Sequence, residues 1–295
     1  MNNYDDLLTG ARAEAQAPQF SKEDWIAKKK AERDEVYALS DAIAIEVAGD
    51  GSKFREFLDV QARLDRYSAV NALLVFAQKP ESARLGDFEH WKSLGGYVKP
   101  GQAAISILEP HEYTKDDGAL GVGYNVKKVF DISQVDARKM KADLAPPTYS
   151  DRQLLAALVH NAPMEIASVD SLPGNANTET DMADGKVMVR RGMEFAEIFR
   201  SIAQALADAY LSECPQGLVN DGFSAYCASY LLCKKYGVDA SRFTFDESPK
   251  AFGGLDAQEV KASLAQIRDA AGETALRMSR QLEAASRAAK NQGAR

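Results

Sequence analysis

Residues 195–209 read Phe-Ala-Glu-Ile-Phe-Arg-Ser-Ile-Ala-Gln-Ala-Leu-Ala-Asp-Ala, and the apolar residues recur at three- and four-residue steps. This period predicts an amphipathic helix over residues 194–212. Its apolar face consists of Phe195, Ile198, Phe199, Ile202 and Leu206. Gln204 and Asp208 stand four positions apart, about 200° around the helix from that face. On pattern alone they are ordinary surface residues.

The overall composition is typical of a globular protein. The chain has 295 residues, of which 45% are hydrophobic and 27% charged. No run approaches the roughly 18 apolar residues of a membrane span, and the first residues lack the basic start and apolar core of a signal peptide. We therefore expect a cytoplasmic protein without a membrane partner.

The charge balance is acidic throughout, with a net charge of −7. Residues 1–145 carry 20 basic and 24 acidic side chains, and the remainder carries 16 and 19. This balance argues against tight nonspecific binding of duplex DNA by charge alone. The balance leaves open the binding of a single strand in a local groove, where base stacking supplies part of the affinity.

Cysteine and histidine are too few and too scattered for a typical metal site. Cys214, Cys227 and Cys233 are odd in number and lack Cys-x-x-Cys spacing. We expect them to be reduced and largely buried, without a disulfide. The histidines are His90, His111 and His160. The sequence predicts no zinc site of the usual kind and no cofactor.

Helical and strand patterns occur on both sides of a proline-containing segment at 145–147. The expected N-terminal elements are helices at 21–38, 53–78 and 87–94, and strands at 103–108 and 122–132. The expected C-terminal elements are helices at 151–159, 194–212, 221–236 and from 257 onward, and strands at 164–169 and 186–190 around a loop at 173–185. We place a domain boundary between residues 145 and 146, after a flexible segment at 1–18.

Two stretches of the N-terminal half resemble a known family. The first is 67–74, with Gln78, Pro80, Phe88, Trp91, Gly96, 98–101 and 104–105; the second is 129–134. Together they resemble the N-terminal domain of ArdC-type antirestriction proteins and their LtrC-like relatives on conjugative elements and plasmids. The resemblance implies a domain associated with single-stranded DNA binding at 19–145. It also implies a zincin-like metallopeptidase domain at 146–295.

The resemblance gives the helix at 194–212 a second interpretation. In the family this helix carries two histidines and a glutamate, and the corresponding positions here are Gln204, Asp208 and Ala205. A third, acidic ligand of the family corresponds to Tyr226. The resemblance implies that these four are vestigial positions, with no catalytic residue and no bound metal. The fold class expected is α+β, a helical domain with a small sheet followed by a degenerate zincin-like domain.

The candidate nucleic-acid-binding residues lie in and around the first resembling stretch. They are Arg66, Tyr67, Asn71, Gln78, Lys79, Trp91 and Lys99. Tyr67, Asn71 and Gln78 share one helical face by their spacing. They line a groove for single-stranded DNA in one interpretation, and in the other they form hydrogen bonds to neighbouring loops.

Three functions are compatible with these patterns. The first is a mobile-element accessory protein that binds single-stranded DNA weakly and salt-sensitively, protects incoming DNA, and has an inactive peptidase-like domain. The second is a protein-interaction module that holds a protein or peptide in the degenerate cleft and does not bind DNA. The third, an active hydrolase, requires a metal site built from residues not identified above.

Overall fold

Three helices open the chain in the computed structural model, which describes residues 21–115, 117–138, 140, 147–214, 219 and 221–293. They are α1 (Lys22–Ala48), α2 (Gly51–Arg63) and α3 (Ala69–Gln78). Each begins at a residue whose side chain accepts backbone N–H groups of the first turn: Ser21, Asp50 and Ser68. Such N-caps satisfy donors that the helix itself leaves unpaired.

The prediction of one helix over 53–78 is wrong. The chain leaves helical geometry at Leu64 (φ −108°, ψ 42°) and begins α3 at the cap Ser68. The side-chain amide of Gln61 donates to the carbonyls of Leu64 and Tyr67, both at 3.3 Å. The break therefore has its own hydrogen bonds, which periodicity does not reveal.

A three-stranded antiparallel sheet packs against these helices. Its order is β1 (Leu85–Gly86), β4 (Leu120–Asp131) and β3 (Ile105–Thr114). The β3–β4 hairpin is paired from Ile105↔Val129 to Thr114↔Leu120, so both strands are longer than the sequence predicted. The short helix α4 (Phe88–Ser93) follows β1, and β2 (Tyr97–Val98) pairs with β5 (Val135–Asp136).

The C-terminal half combines a second small sheet with long helices. The sheet order is β6 (Glu165–Val169), β8 (Lys186–Arg190) and β7 (Thr178–Asp181); β6 is parallel to β8 and β7 antiparallel. The helices are α5 (Asp151–Val159), α6 (Phe195–Glu213), α7 (Asp221–Tyr236), α8 (Ser248–Ala251) and α9 (Ala257–Gly293). Strand β7 falls in the predicted loop and was missed. The α+β fold class is confirmed.

One large core contains residues from both halves of the chain. Phe54 of α2 is fully buried, with its ring centroid 5.4 Å from Phe252, 5.6 Å from Phe245 and 5.9 Å from Phe223. Aromatic rings at such separations add pairwise attraction to the burial of their area. Helices α2 and α3 therefore complete the same core as α6, α7 and α9.

Ion pairs reinforce this junction. The Asp59 carboxylate accepts a hydrogen bond from the Tyr230 hydroxyl at 2.6 Å and lies 3.0 Å from Lys234 Nζ. Asp41 pairs with Lys261, whose side chain is only 8% exposed. Part of the acidic excess of the N-terminal half is thus neutralised by lysines of the C-terminal half.

The expected flexible segment at 1–18 and residues 145 and 146 of the expected boundary lie outside the described residues. The two-domain division stays a prediction, but the shared core does not fit two units that fold separately. Within the described part of the chain, no helix has both the length and the apolar character needed to cross a membrane.

We expect fragments 19–145 and 146–295, each expressed alone, to lack a cooperative thermal transition, whereas the full chain unfolds in one step. Separation exposes Phe54 on one fragment and its ring partners on the other, and a core that loses one wall loses its burial energy. Circular dichroism melting of the full chain and each fragment checks this. A cooperative transition in each isolated fragment would contradict it.

Candidate nucleic-acid interface

Two neighbouring cavities meet where the N-terminal helices contact α9. The first, here called the sheet cavity, has a volume of about 640 Å³ and lies between the β3–β4 face and the segment joining α2 to α3. The second, the helix cavity, has a volume of about 580 Å³ and follows one face of α9. Both are lined by Arg66 and Arg268. The two adjacent cavities, with the two shared arginines between them, are together called the groove here.

The two arginines come from opposite halves of the chain. Arg66, in the α2–α3 segment, is exposed, and no carboxylate of the described residues pairs with it. Arg268, on α9, lies 2.6 Å from the Asp269 carboxylate and 3.5 Å from the Asp65 carbonyl. Arginine presents a planar set of donors that matches phosphate oxygens. The junction is the place in the groove best suited to an anionic group.

Two tyrosines line the sheet cavity, and one of them, Tyr67, directly follows Arg66 in the chain. Tyr67 is half-buried, and burial raises the pKa of its phenol. Tyr124 of β4 is 42% exposed and lines the same cavity. Tyrosine rings beside cations are the residue types on which unpaired bases stack.

The other cation of the sheet cavity is already neutralised. Lys127 Nζ lies 2.5 Å from the Glu109 carboxylate and 3.1 Å from that of Asp87. Hydrogen bonds to Glu109 and then Asp87 raise the pKa of Lys127. In turn, the His90 backbone N–H and Lys127 lower the pKa of Asp87. Lys127 therefore adds little net positive charge, and Arg66 carries most of it.

Asn71 and Gln78 form hydrogen bonds to the free edge of β3. This agrees with the interpretation in which these residues bond neighbouring segments of the protein and not DNA. Asn71 donates to the Leu108 carbonyl at 2.9 Å and accepts from the Leu108 N–H at 2.8 Å. Gln78 makes the same pair of bonds to Ser106, both at 2.9 Å. Each amide supplies one donor and one acceptor, as a neighbouring strand would. Asn71 still borders the sheet cavity, but its polar atoms are already bonded.

The expectation that Trp91 stacks on bases is wrong. Trp91 is fully buried and its indole N–H donates to the Phe130 carbonyl at 3.0 Å. It packs with Phe130 and Val135 in a small core of its own. A ring without exposed area cannot meet a ligand.

The remaining predicted residues lie away from the groove. Lys79 forms an ion pair with Glu81, and Lys99 Nζ donates to the Ser133 carbonyl at 2.9 Å. Neither lines the sheet cavity or the helix cavity. The predicted set therefore divides: Arg66 and Tyr67 are brought together with solvent access, whereas Gln78, Lys79, Trp91 and Lys99 are not.

Sequence reasoning missed Arg268 and Tyr124. Arg268 belongs to the alanine-rich C-terminal helix and carries no local signal of its role. Tyr124 is one of several exposed aromatic and apolar residues of the β3–β4 hairpin. The sequence shows that it is aromatic but not which residues lie next to it in the fold. The packing of α9 against α1 and α3 places Arg268 near Arg66, and Tyr124 reaches the sheet cavity through the pairing of β3 with β4.

The four positions that the resemblance marks as vestigial lie on α6 and α7, which pack against each other. Gln204 and Asp208 are half-buried and Ala205 is buried, because α6 is covered on more than one side. Tyr226 packs against Phe243, with ring centroids 4.7 Å apart, and its hydroxyl accepts a hydrogen bond from the Thr244 N–H at 2.9 Å.

This donor set does not fit a zinc ion. Gln204 and Asp208 offer an amide and a carboxylate but no imidazole, and the Tyr226 oxygen already has a backbone partner. Catalytic zinc sites use three nitrogen, sulfur or carboxylate ligands and an open position. No group of three histidine, cysteine or acidic residues suited to a metal occurs among the described residues.

The described residues thus form an α+β protein in which the two cavities lie where its halves meet. Solved structures of antirestriction protein ArdC from the R388 plasmid resemble it. The metal-free structure is 15% identical, with 72% of this chain and 86% of that chain covered and a TM-score of 0.47. The Mn(II)-bound structure is 13% identical, with 73% and 85% covered and a TM-score of 0.49.

These solved structures carry the name of the family that the sequence resembles. Their similarity is too low to carry a site or an activity across. No protein-family model and no curated protein matches the chain.

We expect Asn71→Ala to lower the free energy of unfolding by at least about 2 kcal/mol, because each buried group left unpaired costs about 1–3 kcal/mol. The matched change Gln78→Ala should cost less than about 1 kcal/mol, since Gln78 is exposed and water can replace it. Urea denaturation of both variants measures the difference. Equal losses in the two variants would show that the buried clamp at Leu108 has no special weight.

Proposed function

We propose that this protein binds single-stranded DNA in the groove formed by the sheet cavity and the helix cavity. The observation that carries the proposal is the meeting of Arg66 and Arg268 between the two cavities, beside Tyr67 and Tyr124. The biological setting follows from the sequence resemblance to ArdC-type proteins. We infer an accessory protein of a mobile element, cytoplasmic and antirestriction-like, that shields incoming single strands.

The groove suits a single strand because its two kinds of contact serve different parts of a nucleotide. The arginines provide donors for phosphate oxygens, and the tyrosines provide ring faces for unpaired bases. A duplex keeps its bases stacked and gains nothing from the rings. The acidic net charge and the pairing of Lys127 with Glu109 and Asp87 predict a weak interaction that is sensitive to salt.

In this proposal the peptidase-like half has a structural role. It contributes Arg268 to the junction, and α7 and α9 form most of the helix cavity. Its own former centre lacks the ligands and the general base of a zinc hydrolase, as Gln204, Ala205, Asp208 and Tyr226 indicate. We therefore propose that this half is a pseudo-peptidase whose retained role is to complete the DNA groove.

Single-strand binding is tested by fluorescence anisotropy with the full chain and labelled oligonucleotides of equal length, single-stranded or duplex. Tyr67→Leu should weaken single-strand binding by about five-fold or more, because a stacked base is worth about 1–3 kcal/mol. Arg66→Gln should lower the slope of log affinity against log salt by about one phosphate contact, and Arg268→Gln should lower it by less, because Asp269 already pairs with Arg268.

Lys99→Gln is the matched control for the arginines. It also removes one exposed cation, but Lys99 lies outside both cavities, and we expect its salt slope to equal that of the wild type. Equal affinity for single strand and duplex, or an equal effect of all three cation substitutions, would overturn the proposed site.

The pseudo-peptidase part of the proposal has a separate test. Elemental analysis of the full chain, purified without chelator, should find far less than one zinc per chain, because the donor set lacks nitrogen ligands. A general peptide substrate should remain uncleaved with added zinc. Stoichiometric zinc together with chelator-sensitive cleavage would contradict this part and leave the DNA proposal standing.

A protein-interaction module is the second candidate function, and one feature favours it. An apolar surface groove of about 620 Å³ lies between α5 and α6, lined by Leu155, Val159, Phe195 and Ile198 among others. Exposed apolar surface of this kind is typical of contacts with other proteins. This candidate becomes the better one if the anisotropy titration detects no binding of single strands.

A further inference from the structure

The helix cavity has a lining that differs from that of the sheet cavity. One face of α9 forms a long wall, on which Arg268, Gly272, Leu276 and Ser279 follow one another at three- and four-residue steps. The opposite side includes Tyr210 of α6 and Leu231 of α7. At about 580 Å³ the cavity is within the size range of small-ligand sites.

Charge is distributed unevenly in this cavity. The cations Arg66 and Arg268 stand at the junction with the sheet cavity, where Arg268 is paired with Asp269, and Lys235 is paired with Asp65. Beyond the junction the lining includes the carboxylates of Glu273 and Glu283. Glu273 is exposed and forms no direct ion pair among the described residues, although its charge acts on Arg277, one turn along α9. Beyond the junction the lining therefore offers carboxylate acceptors without a directly paired cation at Glu273, which favours a neutral hydrogen-bond donor over a phosphate.

A ring and apolar surfaces accompany these acceptors. Tyr210 lies close to Glu273 and Asp269: burial, followed by Cys214 and then these two carboxylates, raises the pKa of its phenol. Leu276 is 50% exposed in the same wall. A flat, neutral group with hydrogen-bond donors on its edge fits between such surfaces.

Gly272 keeps this wall open. It lies in the middle of α9, where glycine costs about 1 kcal/mol relative to alanine. A Cβ added at this position would meet no atom within 4 Å. Packing therefore does not require a glycine here, and a side chain at this position would take up space in the cavity.

We propose that the helix cavity holds one nucleobase of the bound strand and prefers bases with an exocyclic amino group, as in cytosine and adenine. The inference rests on the proposed function, because the strand reaches this cavity through the phosphate contact at Arg66 and Arg268. The amino group donates to the Glu273 carboxylate, an acceptor of the kind that reads cytosine N4 elsewhere. Thymine has a carbonyl at the corresponding position and leaves Glu273 without a donor.

The test compares oligo-dC with oligo-dT of equal length, using anisotropy with the full chain. A bidentate base contact is worth about 1–3 kcal/mol, and the single contact at Glu273 should give the lower end of that range, so oligo-dC should bind about five-fold more tightly. Gly272→Trp fills the cavity and should lower oligo-dC affinity to that of oligo-dT. Gly272→Ala is the matched control and should keep the preference, with a thermal stability at or above that of the wild type.

Two further measurements keep the test decisive. Glu273→Gln changes an exposed residue and retains the shape of the wall, so it should reduce the preference even if Gly272→Trp does not fold. Binding of free dCMP against TMP, followed by isothermal titration calorimetry, probes the cavity without a strand. We expect dCMP to bind more tightly, and Gly272→Trp or Glu273→Gln to remove the difference.

The outcomes separate this inference from the proposed function. Equal binding of oligo-dC and oligo-dT by the wild type overturns the base preference and leaves single-strand binding intact. A preference that survives Gly272→Trp and Glu273→Gln places the reading elsewhere and also overturns it. Selective dCMP binding without strand binding supports the cavity and overturns the proposed function. If neither strand binding nor selective dCMP binding is found, both the proposed function and the base preference are overturned.

Discussion

The burial of Phe54 among aromatic rings of the C-terminal half is the contact on which the rest of the structure depends. Phe54 belongs to α2, whereas Phe223 lies on α7 and Phe245 and Phe252 lie between α7 and α9. A fully buried aromatic residue of this size ties the positions of the elements that supply its partners. Helix α2 therefore cannot move independently of α7.

The groove is a consequence of that attachment. Once α2 is held against α7, its C-terminal end and the following segment lie beside α9, and Arg66 meets Arg268 at the junction of two cavities. The ion pairs of Asp59 with Lys234 and of Asp65 with Lys235 lie along the same contact. A ligand at the junction thus contacts both halves and stabilises their association by mass action.

The polar residues of α3 show how one pattern can serve two purposes. Their spacing gives a polar helical face that a nucleic acid or a strand edge could occupy. In this protein the strand edge is the partner, since Asn71 and Gln78 bond both the N–H and the carbonyl of Leu108 and Ser106. An unpaired edge of β3 would cost free energy where it is buried, so these amides stabilise the fold. Arg66 and Tyr67 then remain as the predicted residues available to a ligand in the adjacent groove.

Local chemistry in the sequence determined some of the helix ends and the fold class. The helices at 151–159 and 221–236 occur as predicted, because a cap such as Ser150 and a terminator such as Gly237 act within a few residues of chain. The break at Leu64 depends on Gln61 reaching across a turn, and short β7 depends on pairing with β8. Neither leaves a periodic signal.

Only the tertiary structure decided which side chains of the candidate site reach solvent. Composition marks Trp91 and Tyr67 alike as aromatic residues near cations, yet the first is fully buried and the second borders a cavity. Arg268 joined the site through the packing of α9. The physical reason is range: capping and turn preferences act between near neighbours, whereas burial and the meeting of charges depend on contacts between segments far apart in the chain.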